Sequence, residues 1–262
     1  VFETIDEQNP ITEKNDAKEL ANVRGEVDFE KVTFGYEAGI NVLENFDLHV
    51  AAGETIALVG PTGAGKTTVI NLITRFYDPA AGCVKIDGIN VRDVTLGSLR
   101  SRVGVLMQDP FIFKGTIIDN IRYGRPEATD EECIAAAERI YADRVAKRYP
   151  DGFYAKTEEG GEGLSAGEKQ LISFARMVLK DPSVVILDEA TSSVDSETEE
   201  LIREALEILL KDKTAFIVAH RLSTIRKADR ILYIADKGIA ESGNHEQLLA
   251  KKGLYYRLNA GL

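Results

Sequence analysis

The sequence has little of what marks membrane-spanning, disulfide-rich or nucleic-acid-binding chains. No apolar run reaches the length of about 18 residues that a transmembrane helix needs, so we do not expect this chain to span a bilayer by itself. The two cysteines, Cys83 and Cys133, lack metal-ligand spacing and are too few for a disulfide framework, which favours a reducing, cytosolic setting. Acidic residues outnumber basic ones by 43 to 32, and the net charge of −11 argues against nucleic acid or anionic lipid as a partner.

The length and the first residues suggest how the chain is organised. At 262 residues it is long enough to bury a substantial core, as one large domain or two small ones. The sequence starts at Val1 without methionine, and no signal peptide is recognisable there. Residues 8–22 are polar and charged without periodicity, which is typical of a linker.

The strongest motif is a glycine-rich loop that follows a predicted strand. Residues 55–59 are apolar and rich in β-branched side chains, so they predict a buried strand. The glycines let successive N–H groups point at phosphates, Lys66 would reach the β and γ oxygens, and the Thr67 hydroxyl suits Mg²⁺. We expect a helix from Thr68, whose positive end also favours phosphate. The pattern G-x-x-x-x-G-K-[ST] is met in full by Gly60, Pro61, Thr62, Gly63, Ala64, Gly65, Lys66 and Thr67.

A second motif places two carboxylates after a predicted strand. Residues 184–187 are wholly apolar, and Asp188 and Glu189 follow them. Asp188 can hold Mg²⁺ through water, while Glu189 can polarise a water that attacks a γ-phosphate. A solvated acidic turn is the alternative, and the complete phosphate loop upstream disfavours it.

Five motifs in this order resemble the nucleotide-binding domain of ATP-binding-cassette proteins, over residues from about 25 to 258. They are the phosphate loop, LSAGE at 164–168, the Asp188-Glu189 pair, SSVD at 192–195, and His220 within IVAHR. Three further stretches look like the exporter branch, in which this domain follows a membrane domain: RGEVDF at 24–29, VLMQD with FIF at 105–113, and HEQLL at 245–249.

The resemblance implies roles for further residues. Tyr36 would stack on adenine, Gln108 would bind Mg²⁺ and sense its state, and His220 would contact the γ-phosphate and hold the attacking water. Ser165 and Gly167 would face the phosphate loop of a second domain, so that two ATP molecules are sandwiched head to tail. The pattern Ser165-x-x-Glu168 is also a capping box, and it predicts a helix from Lys169 to Leu179 with its positive end at the signature.

The sequence departs from the commoner family form at three positions. The signature has Ala166 and Glu168 where glycine and glutamine are usual, and it retains the stricter Gly167. In the loop that carries a glutamate in exporters, Glu159 matches that glutamate and Glu158 replaces a usual glycine. The two catalytic candidates, Glu189 and His220, are both present. We therefore expect this chain to be a catalytically competent half of a pair of ATPase domains.

The predicted architecture is α/β, because strand and helix signals alternate. By resemblance it is a P-loop NTPase core with a mostly parallel sheet, an antiparallel β wing in residues 25–53 and 83–89, and a helical insertion at about 109–178 that carries the signature. Within the insertion, Thr129-x-x-Glu132 is a capping-box pattern that predicts a helix from Glu131 to Tyr141. We expect residues 23–262 to form this ATPase domain. Residues 1–7 resemble the end of the helix that joins an exporter's membrane domain to its ATPase, so residues 1–22 are predicted to be the linker from that domain.

These observations predict an ATP-hydrolysing motor domain of a membrane exporter, at the cytoplasmic face of the cell membrane. Its expected ligands are ATP and Mg²⁺, and its expected partners are a second ATPase domain and the transmembrane domain of the same transporter. Two alternatives remain open at this point. A soluble family member that remodels nucleic-acid or ribosomal complexes would usually carry tandem cassettes, coiled-coil insertions or a basic surface. A regulatory module that binds nucleotide without turnover would not need Glu189 and His220.

Overall fold

The computed structural model describes residues 11–107, 109–188, 196–218 and 222–260. Their strands are β1 Val27–Phe34, β2 Leu43–Val50, β3 Thr55–Val59, β4 Ala81–Ile86, β5 Ile89–Asn90, β6 Val103–Leu106, β7 Gly115–Thr116, β8 Lys156–Thr157, β9 Val184–Asp188, β10 Thr214–Val218, β11 Arg230–Ala235 and β12 Gly238–Gly243. Their helices are α1 Lys66–Ile73, α2 Leu96–Arg102, α3 Ile117–Arg122, α4 Asp130–Arg139, α5 Asp143–Ala146, α6 Ala166–Lys180, α7 Ser196–Leu210, α8 Leu222–Lys227, α9 His245–Lys251 and α10 Leu254–Ala260.

A large sheet forms the centre of the domain, with strand order β12-β11-β3-β10-β9-β6. Strands β11, β3, β10, β9 and β6 run parallel, and β12 is antiparallel to β11. Side chains of β3 alternate between two apolar clusters: Ile56 and Leu58 join one, and Ala57 and Val59 join the other. This strand is apolar throughout because a parallel strand inside a sheet is covered on both faces.

The two clusters give the domain its layers. On one side, α1 and a second sheet of order β2-β1-β4-β5 pack against the large sheet. That sheet is antiparallel, with Val27 opposite Val50 on one side and Ile86 on the other, so the predicted β wing is confirmed. On the other side lie α3 to α7, with α6 central among them.

The helical region agrees with the predicted insertion, with shifted helix ends. Helix α4 was expected to reach Tyr141, but Ile140 leaves the helical conformation and Tyr141 takes a φ of 63°. Helix α6 begins at Ala166, three residues before the expected start, because Ser165 itself is the N-cap. None of the helices in the described ranges has the length and hydropathy required to cross a membrane.

The segment that precedes β1 is attached to the domain. Lys18 forms a parallel bridge with Val94, through Lys18 N to Asp93 O at 2.9 Å and Thr95 N to Lys18 O at 2.9 Å. Leu20 is buried. The described part of the predicted linker, from residue 11, therefore contacts the domain near α2, while residues 1–10 lie outside the described ranges.

Candidate functional site

The parallel strands bring several predicted site residues to one edge of the large sheet. In the register, Leu58 of β3 lies beside Val218 of β10, which lies beside Asp188 of β9. Because parallel strands end at the same edge, the phosphate loop after β3 and the carboxylate of Asp188 face the same region. Three predicted residues, Gln108, Glu189 and His220, lie outside the described residues, as do residues 192–195.

The loop between β3 and α1 is shaped by its glycines. Gly60 has a φ of 139°, and a Cβ there would lie 2.2 Å from the carbonyl oxygen of Ile234. Gly65 has a φ of 105° and is the N-cap of α1. Both positions therefore require glycine, and the chain can turn sharply from the strand into the helix.

The N-terminus of α1 is suited to bind an anion. The helix begins at Lys66, two residues before the expected start at Thr68, and its N-cap offers no side-chain hydrogen bond. No acidic residue lies in its first turn, so the first N–H groups and the helix dipole favour a negative ligand. Lys66 Nζ donates to the carbonyls of Gly60 and Pro61, each at 2.8 Å, which places the ammonium across the loop.

Burial lowers the pKa of Lys66, and a phosphate beside it would stabilise the ammonium form. The next side chain, Thr67, is exposed and can offer its hydroxyl to a cation. Thr68 is buried, its hydroxyl lies 3.2 Å from the Tyr36 hydroxyl, and its backbone N–H in the first turn of α1 can donate to a phosphate. The donor set at this loop therefore fits a nucleotide polyphosphate.

Tyr36, the predicted adenine-stacking residue, lies next to the same helix. Its side chain is 48% exposed. Its hydroxyl contacts Thr68 and accepts a hydrogen bond from Asn71 Nδ2 at 3.0 Å. The structure therefore joins the predicted stacking ring to the helix that starts at the phosphate loop. Asn71 carried no sequence signal, because an asparagine on a short helix has many ordinary roles.

The signature residues form the N-terminus of α6, on the opposite face of the large sheet from α1. Ser165 Oγ accepts from Glu168 N at 3.2 Å, and Glu168 Oε2 accepts from Ser165 N at 2.8 Å. Ser165 is exposed, and its hydroxyl proton is not used by this cap, since a hydroxyl can donate and accept at once. Gly167 is buried in the first turn. Capping and ligand contact are thus compatible in one serine.

The two unusual glutamates are accommodated locally. Glu168 is buried. One of its carboxylate oxygens accepts from Ser165 N and the other forms an ion pair with Arg148, so both oxygens have partners. Glu158 has a φ of −89°, an ordinary value for any residue, and its exposed side chain lies 3.6 Å from Lys114. Neither substitution strains the backbone.

A partly buried polar cluster that the sequence did not predict links α6 to the loop after Gln108. Arg176 of α6 donates to the carbonyls of Phe111 and Asn120, both at 2.6 Å. Asn120 binds both the N–H and the carbonyl of Phe113 at 2.9 Å. Burial lowers the pKa of Arg176 to about 10. The sequence signal that could have revealed this cluster was Arg176 itself, a charged residue within an otherwise apolar stripe of the helix.

Comparison with known proteins gives a consistent result. The family model described as ABC transporter matches residues 43–192, more than half of the chain. An uncharacterised ABC transporter ATP-binding protein of Bacillus subtilis is 51% identical over 255 residues, covering 97% of this chain and 42% of that protein. A fatty acid ABC transporter ATP-binding/permease protein of Mycobacterium bovis is 48% identical over 258 residues, covering 98% and 41%.

The solved structures include a bacterial Atm1-family ABC exporter with ATP bound. It superposes with a TM-score of 0.90 at 39% identity, covering 99% of this chain and 45% of that chain. The chain therefore spans less than half the length of these relatives. With the fold of an ABC exporter's nucleotide-binding domain, a phosphate loop and a capped signature helix, the chain belongs to the ABC transporter family.

Proposed function

We propose that this chain is the ATP-binding and ATP-hydrolysing motor domain of a membrane exporter, pairing head to tail with a second such domain around two ATP molecules. One observation carries the proposal: α1 starts without a side-chain cap, and Lys66 lies across the loop in front of it. Two of the relatives described above, a bacterial exporter and a transporter ATP-binding/permease protein, agree with this role.

Nucleotide binding would use both ends of the ATP molecule. Lys66 and the backbone N–H groups of the phosphate loop, from residue 60 to residue 68 except Pro61, would hold the phosphates, and Tyr36 would stack on adenine. Thr67, Asp188 and Gln108 would hold Mg²⁺, which neutralises charge on the β- and γ-phosphates when bound. The exposed Thr67 hydroxyl and the position of Asp188 at the end of β9 support this assignment.

Hydrolysis would depend on Glu189 and His220, two residues assigned from the sequence. Glu189 would orient and deprotonate the attacking water, and His220 would contact the γ-phosphate and hold that water. Lys66 would stabilise negative charge on the γ-phosphate oxygens as the bond breaks.

Each site would be completed by the signature of the partner domain. The Ser165 hydroxyl only accepts in the helix cap, so it would donate its proton to a γ-phosphate oxygen. Gly167 would allow the backbone to approach the γ-phosphate closely. The positive end of α6 would add to the attraction. The second domain is therefore proposed as a required part of each site, and either a second copy or a related chain can supply it.

The motion of closing would pass to the membrane domain through the loop after Gln108. Arg176 supports this proposal, because it holds that loop from the same helix that begins at the signature. We assign residues 1–22 as the linker from the membrane domain, residues 23–262 as the ATPase domain, and the helical insertion to about 109–178. The domain would work at the cytoplasmic face of the membrane.

The test is Glu189→Gln in the intact transporter and in this chain. Loss of the general base should lower phosphate release by about 10² or more, while ATP affinity stays within about twofold of wild type. A variant that keeps more than about a tenth of the wild-type rate would remove Glu189 from the role of base. If the wild-type chain released no phosphate under any condition, the result would favour a regulatory module that binds nucleotide without turnover.

Assembly is tested with the same variant. We expect wild-type hydrolysis to rise faster than linearly with protein concentration, because half of each site comes from the partner. Glu189→Gln should sediment as a monomer without ATP and as a dimer with it, since bound nucleotide stabilises the dimer. A monomer in both conditions, alone and mixed with the partner cassette, would contradict the head-to-tail arrangement.

A further inference from the structure

Tyr36 is held more firmly than an exposed tyrosine usually is. Although 48% of its side chain is exposed, its ring is flanked by Phe34 at 5.0 Å and by Tyr77 at 5.1 Å, at interplanar angles of 85° and 90°. Such edge-to-face contacts are favourable beyond the area that they bury. Its hydroxyl is bound as well, so both the plane and the tip of the ring are fixed.

The hydroxyl contacts have a defined direction. A side-chain NH₂ can only donate, so the Tyr36 oxygen accepts from Asn71 Nδ2 at 3.0 Å. The phenol proton is then free to point to Thr68 Oγ1 at 3.2 Å. Thr68 and Asn71 are three residues apart and share one face of α1. Both tethers therefore come from the helix whose first turn faces the phosphates.

We propose that Asn71 and Tyr77 are positioning residues that fix the Tyr36 ring for nucleobase binding. This inference rests on the proposed stacking of adenine on Tyr36. A ring that is already ordered loses less conformational entropy when the base binds. Its tether to α1 also fixes the distance between base and phosphates, since one rigid helix holds both ends.

The test compares ATP with a probe that lacks the base. We would measure the Kd of ATP and of inorganic tripolyphosphate, each with Mg²⁺, for Tyr36→Phe, Asn71→Leu and the double variant. Each single change should weaken ATP binding by about three- to tenfold, the entropy cost of ordering one side chain. The double variant should be no weaker than Tyr36→Phe, because that change already removes the hydrogen bond that Asn71→Leu breaks. Tripolyphosphate binding should not change.

Tyr77→Ala should also weaken ATP but not tripolyphosphate. The matched control is Phe76→Ala, which removes a neighbouring exposed ring that contacts Arg100 rather than Tyr36, and it should bind both ligands as wild type does. In turnover assays the positioning variants should raise KM for ATP and leave kcat unchanged, a split that general destabilisation would not produce.

Four results would overturn the inference once Tyr36→Ala is measured beside the other variants, and each has its own signature. Additive effects in the double variant would mean that Asn71 does not act through Tyr36. Equal losses for ATP and tripolyphosphate would mean that the changes only damage α1. If Tyr36→Ala weakens ATP but Tyr36→Phe and Asn71→Leu do not, stacking stands and positioning fails. If Tyr36→Ala binds ATP as wild type does, stacking itself is wrong and the inference falls with it.

Discussion

Lys66 in the phosphate loop and Ser165 in the signature each use only part of their hydrogen-bonding capacity within the chain, and the rest is available to a ligand. An ammonium has three donors, and Lys66 uses two of them on Gly60 and Pro61. A hydroxyl has one donor and two acceptor sites, and Ser165 uses an acceptor site on Glu168 N. The capacity that remains in each residue is a donor, which suits phosphate oxygens.

Lys66→Ala should therefore weaken ATP binding and stop hydrolysis together. Removing charge-assisted hydrogen bonds to phosphate should raise Kd roughly 10- to 100-fold. The measurements are a titration with a fluorescent ATP analogue and a phosphate-release assay. Lys211→Ala, which removes the same charge from an exposed site after α7, is the control. Binding within about twofold of wild type in Lys66→Ala would contradict the role of this lysine.

At the scale of elements, the cap of α6 explains why glutamate works at position 168. Its Oε2 satisfies the Ser165 N–H, and its Oε1 pairs with Arg148, whose side chain is 64% exposed. The buried hydrogen bond matters more than the largely solvated ion pair, because exposed pairs contribute little. Glutamine could keep the first contact and lose only the second.

We expect Glu168→Gln to change the free energy of unfolding by less than about 1 kcal/mol and Glu168→Ala to lower it by about 1–2 kcal/mol. Chemical denaturation measures both variants. Glu162→Ala, at an exposed carboxylate just before the signature, is the control. Equal losses in the two Glu168 variants would show that the ion pair dominates.

The antiparallel sheet carries a pair that depends on pH. His49 of β2 lies opposite Asp28 of β1, and its Nδ1 is 2.7 Å from Asp28 Oδ1. That hydrogen bond raises the pKa of His49 above its ordinary 6.5, with Glu26 adding to the increase and Arg230 opposing it. Because the folded-state pKa is raised, the pair stabilises the fold fully below about pH 6.5 and loses this effect as the pH rises through the folded-state value.

An NMR titration of His49 checks this. The pKa of His49 in the wild type should lie above its value in Asp28→Asn, where the main cause of the increase is gone. The same His49 pKa in both proteins would mean that the Asp28 carboxylate does not stabilise the protonated imidazole.

At the scale of the whole molecule, one buried arginine joins parts of the chain that are distant in sequence. Arg75 is 1% exposed and lies two residues after the end of α1. It pairs with Asp78 at 3.1 Å and donates to the carbonyls of Val91 at 3.3 Å and Thr12 at 3.0 Å. It therefore anchors the segment before β1 to the end of the helix that starts at the phosphate loop.

Arg75→Lys should lower the free energy of unfolding by about 2–4 kcal/mol, because lysine lacks the fork that reaches several acceptors and leaves buried carbonyls unpaired. Limited proteolysis should also cut residues 11–20 faster. Arg92→Ala is the control, since Arg92 is 46% exposed and lies 3.6 Å from the same Asp78; its effect should stay below about 1 kcal/mol. Unchanged proteolysis in Arg75→Lys would contradict the anchoring role.

The local parts of this protein followed from the sequence alone. The phosphate loop, the capping boxes at Thr129 and Ser165 and the strand that ends at Asp188 match their patterns, while the β wing was expected from the family resemblance. Each of these local features depends on contacts within a few residues or on a short run of apolar side chains, so the pattern contains the information needed. The first and last residues of the helices were less predictable, because the capping residue decides where each helix begins and ends.

Only the tertiary structure decided which distant residues meet. Asn71 binds Tyr36 across 35 residues, Arg176 binds Asn120 across 56, and Arg75 reaches Thr12 across 63. In each pair the sequence does not identify the acceptor, since the partner is decided by how sheets and helices pack. A buried donor must find an acceptor, but the sequence does not say which one, and packing supplies that answer.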